Sequence, residues 1–255
     1  MRTRSPHRNR PGGALMFVIT ADQIDSRHDR DRAGEMIARL AADFGPAFVL
    51  PPDQTSGDEI QALLTDAATA LDVVFALHRS GHWSVGLGIG PVRVPLPLAT
   101  RQASGAAFIA ARAAVTRAKK ADARFALDAD GSGATVAGAS AGRSNPGGPA
   151  GLATGVPTPG SSAGEPILAG VEVEALIATV LLLRQRRSPE GWAAVDLLRD
   201  GLSQVEIAGR LGITPAAVSQ RIKSSLWRVE EAAHPALVRL MEDLEQTSTE
   251  TDTAG

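Results

Sequence analysis

The chain has 255 residues and a formal net charge of −2 at pH 7; 44% of its residues are hydrophobic and 21% are charged. That length supports two domains with separate cores, and the near-neutral charge excludes attraction to nucleic acid or acidic membranes through overall charge alone. Cysteine is absent, which excludes disulfides, thiolate zinc sites and cysteine nucleophiles and suits a cytoplasmic protein.

Both ends of the chain have the composition of tails. Residues 1–15 are basic and lead into an apolar run that is too short for a secretory signal, so we expect a disordered tail there. The polar residues 247–255 are expected to form a second one.

Residues 16–129 alternate between strand and helix signals. Strands are predicted at 17–20, 47–50, 60–64, 83–90 and 124–127, and helices at 30–44, 66–78 and 104–121. In the fourth strand, large apolar residues from Trp83 to Ile89 alternate with serine and glycine, and the glycine face permits close approach of a helix or a ligand. The order βαββαβ with an added αβ unit predicts a ferredoxin-like sandwich, and therefore an α+β fold.

Glycine, alanine, serine and proline dominate residues 130–164. Such a segment cannot bury enough apolar surface to offset the entropy of ordering it, so it is predicted to be a flexible linker at a domain boundary. The region after it, 165–246, is predicted to be helical. Its first helix, 167–183, is apolar on nearly every side, which favours a buried core helix or a dimer contact over a membrane span because Glu172 and Glu174 interrupt it.

Further helices are predicted at 189–200 and 235–244. The first of these is expected to pack, through Trp192, Val195 and Leu198, on a pair of short helices that lies between them.

That pair carries the most specific pattern in the chain. Ser203 and Glu206 have the spacing of a capping box, which begins a helix. Gly212 then supplies a residue that tolerates positive φ in a tight turn. Thr214 caps a second helix, in which Pro215 occupies the first position. The segment resembles the helix-turn-helix family of DNA-binding units.

The second helix of the pair is predicted to be a recognition helix. Its apolar residues point back at the first helix and leave a polar face free for the major groove. The predicted DNA-binding residues on that face are Thr214, Ala216, Ser219, Gln220 and Lys223. Because one such helix makes few base contacts, we expect a homodimer on double-stranded DNA. The alternative is a helical hairpin used only for packing or dimerisation.

Two carboxylates in the first region suggest a metal site. Asp22 ends the first strand and Asp58 lies in the connection between the second and third. In a ferredoxin-like sheet the first and third strands are neighbours, so the pair could hold Mg²⁺ and, through it, a triphosphate. The alternative is that Asp22 caps a helix and that Gly57 and Asp58 form a turn.

The same region resembles the palm of class III nucleotidyl cyclases and GGDEF proteins. The resemblance rests on ITADQID (19–25), SGDE (56–59), the glycine-alternating strand and GAAFIAAR (105–112). It implies that Asp22 and Asp58 are metal ligands and that Arg112 contacts the nucleotide. Ser56, Ile60 and Phe108 depart from the pattern of active cyclases, so the resemblance does not imply catalysis.

From Met16 to Leu244 the chain resembles the SatD family, through VITADQIDSR (18–27), the downstream GDE and the helix-turn-helix region. The resemblance implies a palm-type domain joined to a DNA-binding one. The leading hypothesis is therefore a transcriptional regulator whose first domain dimerises or senses a nucleotide or other small effector. The alternatives are a palm-type, Mg-dependent nucleotidyl enzyme and an adaptor that uses both domains for protein contacts.

Overall fold

The computed structural model describes residues 14–26, 29–55, 57–129 and 168–251. The predicted linker, most of the predicted N-terminal tail and the last four residues lie outside these ranges. Across the described ranges, every helix is too short or too polar to cross a bilayer.

Five strands and three helices make up the first part of the fold. They are β1 (Ala14–Gln23), α1 (Ala33–Phe44), β2 (Phe48–Gln54), β3 (Glu59–Leu64), α2 (Ala67–Arg79), β4 (Trp83–Val92), α3 (Ala106–Ala118) and β5 (Phe125–Ala129). The second part is helical and consists of α4 (Gly170–Gln185), α5 (Pro189–Arg199), α6 (Gln204–Leu211), α7 (Pro215–Ser224) and α8 (Trp227–Thr251). Each predicted strand and helix is therefore present, although several boundaries differ.

The strands form one mixed sheet in the order β2-β3-β1-β4-β5. The central strand β1 is antiparallel to both β3 and β4, and β5 joins the far edge parallel to β4. This mixed α/β architecture is consistent with the predicted α+β class.

The strand β2 extends four residues beyond its predicted end, through Pro51 and Pro52 to Gln54. The prolines favoured a turn at this point in the sequence. An edge strand tolerates them, because an outward-facing position does not need to donate a backbone hydrogen bond. The pairing of β2 with β3 shifts register twice in this segment, as expected for an irregular edge.

The glycine face of β4 is covered by α3, as the alternation predicted. A Cβ atom built on Gly86 would lie 2.2 Å from the backbone nitrogen of Val115, and one built on Gly88 would lie 2.2 Å from the carbonyl oxygen of Ala107. Only glycine at these positions allows the helix backbone to lie directly on the strand.

The opposite face of the sheet is covered by α1, α2, α4 and α8, which share one hydrophobic core with it. From α4, Val173, Ile177 and Leu181 are buried there. The sequence predicts either a core helix or a dimer contact for this apolar segment, and the structure shows it as a core helix. Glu174 also attaches α4 to the sheet edge, because its carboxylate accepts a hydrogen bond from the backbone nitrogen of Leu127 at 2.7 Å.

The last helix is much longer than predicted. The sequence predicts a helix from Pro235 to Leu244, but α8 runs from Trp227 to Thr251 and Pro235 lies inside it. A proline inside a helix removes one backbone hydrogen bond. Burial of Leu237, Met241 and Leu244 in the shared core stabilises the helix across this gap.

The carboxyl group of Glu245 faces the core side of α8. Burial raises its pKa to about 7, and the negative charges of Glu242 and Asp66 act in the same direction. In the unfolded chain the group ionises near 4.5, so ionisation opposes folding increasingly as pH rises from about 4.5 to 7 and fully above that.

Glu245→Gln is therefore expected to stabilise the protein at pH 8 by about 1 to 2 kcal/mol, allowing for solvent screening, and to leave it nearly unchanged at pH 4.5. Thermal unfolding of both proteins at the two pH values measures this difference. Glu231→Gln, at an exposed position of the same helix, is the control. An equal effect of Glu245→Gln at both pH values would contradict the prediction.

Candidate functional site

The two short helices α6 and α7 have the capping and turn geometry that the sequence predicts. The Ser203 hydroxyl accepts a hydrogen bond from the backbone nitrogen of Glu206, whose carboxylate accepts one from the Ser203 backbone nitrogen at 2.8 Å. Gly212 ends α6 with a φ of 65°. The Thr214 hydroxyl then accepts from the backbone nitrogen of Ala217 at 3.2 Å and caps α7.

A separate apolar cluster holds the pair together. Its buried members are Ala194, Ile207, Ala208, Val218 and Ile222. Leu198 of α5 packs on this cluster, as predicted. Trp192, for which the sequence predicts the same packing, is not among the members of this cluster, and the guanidinium groups of Arg79 and Arg187 lie 4.1 and 4.2 Å from its ring centre.

The opposite face of α7 is open to solvent. Every predicted DNA-contacting residue lies on it in an exposed position: Thr214, Ala216, Ser219, Gln220 and Lys223. The carboxylate of Glu206 is engaged by Ser203. Within the described ranges no carboxylate lies within ion-pair distance of Lys223, and Arg210 and Arg228 are exposed nearby in sequence. The five residues on this face are therefore polar or small, and Lys223 gives them one positive charge.

The predicted metal ligands have different surroundings. Asp22 lies in β1, and its carboxylate forms an ion pair with Lys119 at 2.7 Å. Asp58 lines a small hollow together with Gln23 and Asp31. The backbones at the two positions are close, since the Gln23 nitrogen donates to the Asp58 carbonyl at 3.2 Å. The described residues contain no group of three or more histidine or acidic side chains that could hold a metal ion.

The structure agrees with one half of the alternative, in which Asp22 caps a helix and Gly57 and Asp58 form a turn. Gly57 has a φ of 76°, which fits the predicted turn. Asp22, however, caps no helix, because it lies in β1 opposite Glu59 and Ser84 and its carboxylate is bound to α3 through Lys119.

Arg112 lies on the exposed side of α3. Its guanidinium is 3.4 Å from the Glu59 carboxylate, and it borders a cleft that also contains Arg93 and Arg101. The sequence gives no indication that Arg93 and Arg101 lie near Arg112, because both belong to the irregular connection between β4 and α3.

Sequence reasoning also missed a charged cluster where the helical pair joins the sheet region. Glu230 of α8 is 5% exposed and contacts Arg184, Arg187 and Arg199. Arg79 of α2 completes the contact through a two-pronged ion pair with Asp196 of α5, at 2.6 and 2.7 Å. The sequence RQRR at the end of an apolar helix was the available signal.

The cluster contains more cationic than anionic side chains. Two features limit the effect of this excess positive charge. Arg184 lies 4.2 Å from the ring centre of Phe75, so an aromatic face stabilises its charge. His78 adds no charge at neutral pH, because burial lowers its pKa to about 4 and the positive charge of Arg184 acts in the same direction. The junction therefore depends on Glu230 and on aromatic rings.

Comparisons with known proteins do not extend these observations. No protein-family model matches the chain, and no curated protein matches it.

Proposed function

We propose that the protein is a DNA-binding transcriptional regulator that inserts α7 into the major groove. One observation carries the proposal: α7 buries Val218 and Ile222 against its neighbours and leaves a complete polar face exposed. A helix used only for packing does not need the opposite face to present hydrogen-bonding side chains and unpaired positive charge. The tight turn before α7, in which Gly212 has a φ of 65°, fits the same role.

The net charge of −2 means that affinity must come from this local surface. Binding is therefore expected to be modest and to weaken steeply with salt, because the entropy gained by releasing counterions falls as the salt concentration rises.

Gln220 and Lys223 should contribute in different ways. A glutamine can bond an adenine edge through two hydrogen bonds, whereas a lysine at the outer turn meets phosphate. Gln220→Ala should change base preference at one position by about 1 to 3 kcal/mol, and Lys223→Ala should weaken all sequences alike and flatten the salt dependence. Gel shifts of the full chain on a randomised duplex library, at several salt concentrations, measure both effects.

Lys120→Ala is the matched control, because Lys120 is an exposed lysine near the end of α3. Unchanged affinity and preference in both α7 variants would refute the recognition-helix assignment. Shifts on duplexes with one and with two copies of the selected site report whether two protomers bind together.

We further propose that the protein acts in the cytoplasm as a homodimer with a SatD-like plan, in which a ferredoxin-like, palm-type sheet precedes the DNA-binding helices. The βαββαβ succession and the neighbouring order β2-β3-β1-β4 support the ferredoxin-like part. Val171, Leu176 and Leu182 are exposed on the outer side of α4 and offer an apolar contact for a second protomer. The ion pair of Asp22 with Lys119 favours a regulator over a metal-dependent enzyme.

A further inference from the structure

A cleft with a volume of about 970 Å³ lies between the end of β2 and the start of α3. The connection from β4 to α3 forms one wall and contributes Arg93 and Arg101, while α3 contributes Arg112. Among the described residues that line it, none is acidic. The volume is within the range of sites that bind small molecules.

The three arginines are only partly neutralised. Arg101 and Arg112 each lie 3.4 Å from a carboxylate, that of Asp53 and that of Glu59, and both guanidinium side chains are more than half exposed. Exposed ion pairs of this length are weak and leave most donor positions free. Within the described ranges, no carboxylate lies within ion-pair distance of Arg93. The lining of the cleft is thus positively charged.

The lining also has an apolar part, which lies on α3 next to Arg112. Ile109 is 70% exposed although it is a large hydrophobic residue, and Phe108 lies beside it on α3. Guanidinium groups next to apolar side chains provide the two features that fix a charged organic molecule: donors for its anionic end and a surface for its body.

We infer that this cleft binds a small organic polyanion that carries phosphate groups or several carboxylates. Its anionic end lies on Arg93, Arg101 and Arg112, and its less polar part lies on Phe108 and Ile109. The cleft is separate from the exposed face of α7, so this binding does not depend on the proposed DNA-binding function. If that function holds, the ligand is a candidate effector.

Isothermal titration of the full chain at low salt tests the inference with two probes, inorganic pyrophosphate and citrate. They distinguish a phosphate source of the anion from a carboxylate source. At least one is expected to bind, and Arg93→Gln should weaken it by about tenfold or more. Arg101 and Arg112 are left in place, because removal of either would also free a carboxylate, that of Asp53 or that of Glu59.

Ile109→Glu provides an independent test, since an exposed position should accept the substitution while its carboxylate repels an anion from the cleft. It should weaken the same probe. Lys223→Gln is the control for binding at the α7 surface and should leave the affinity unchanged.

Three outcomes would overturn the inference. The first is that neither probe binds. The second is that the arginine and Ile109 variants bind as tightly as the unmodified protein. The third is that Lys223→Gln weakens binding as much as the arginine variant, which would locate the anion on α7.

Discussion

Glu230→Ala is expected to lower the free energy of unfolding by about 3 to 5 kcal/mol, because it removes the carboxylate that holds two buried arginines. Arg184 and Arg187 are 2% and 7% exposed, and both contact Glu230. Without the Glu230 carboxylate, these two arginines retain only uncharged hydrogen-bond partners. Arg184 still donates to the carbonyl of Phe75 at 3.2 Å, and Arg187 to the carbonyl of Ser225 at 2.9 Å.

Urea unfolding of the full chain measures this loss. Glu231→Ala, one residue along the same helix and exposed to solvent, is the control and should change stability by less than about 0.5 kcal/mol. A Glu230→Ala protein within about 1 kcal/mol of the unmodified one would mean that the aromatic rings and carbonyls alone are enough for the two arginines.

Gly88→Ala is the second substitution with a large expected effect. The added methyl group would lie 2.2 Å from the carbonyl oxygen of Ala107 and 2.4 Å from the backbone nitrogen of Ala111. Neither atom is at the end of a flexible side chain, so α3 as a whole has to move away from the sheet. Overpacking typically costs about 1 to 3 kcal/mol and occasionally more, and we expect a loss near the upper end because backbone atoms have to move.

Gly34→Ala is the matched control. Gly34 lies in α1, and a Cβ atom there would meet no atom within 4 Å. Alanine is the better helix former, so this variant should be more stable by up to about 1 kcal/mol. Replacing glycine by alanine is thus expected to lower the stability of the protein at position 88 and to raise it at position 34. Equal unfolding midpoints for the two variants would contradict the packing of α3 on β4.

Features that depend on neighbours in sequence could be predicted. The capping box at Ser203, the turn at Gly212 and the cap at Thr214 each involve residues at most a few positions apart, and each is present. The glycine alternation in β4 also predicted a closely packed partner, because it records the space on one face of a strand.

Element boundaries were harder to predict where packing outweighs local preference. Both β2 and α8 continue through prolines at which the sequence predicts the end of a strand or the start of a helix. An edge position tolerates Pro51 and Pro52, and a buried helix face compensates for Pro235.

The sequence by itself determined the succession of strands and helices and the two faces of α7, since both follow from the spacing of apolar, capping and glycine residues along the chain. Only the tertiary structure decided which charges meet. Asp22 pairs with Lys119, 97 positions away, and Arg79 pairs with Asp196, 117 positions away. No periodic pattern encodes such contacts, because they depend on how α2, α3 and α5 are arranged around the sheet. For the same reason the arginine cleft and the buried Glu230 cluster became visible only once the chain was folded.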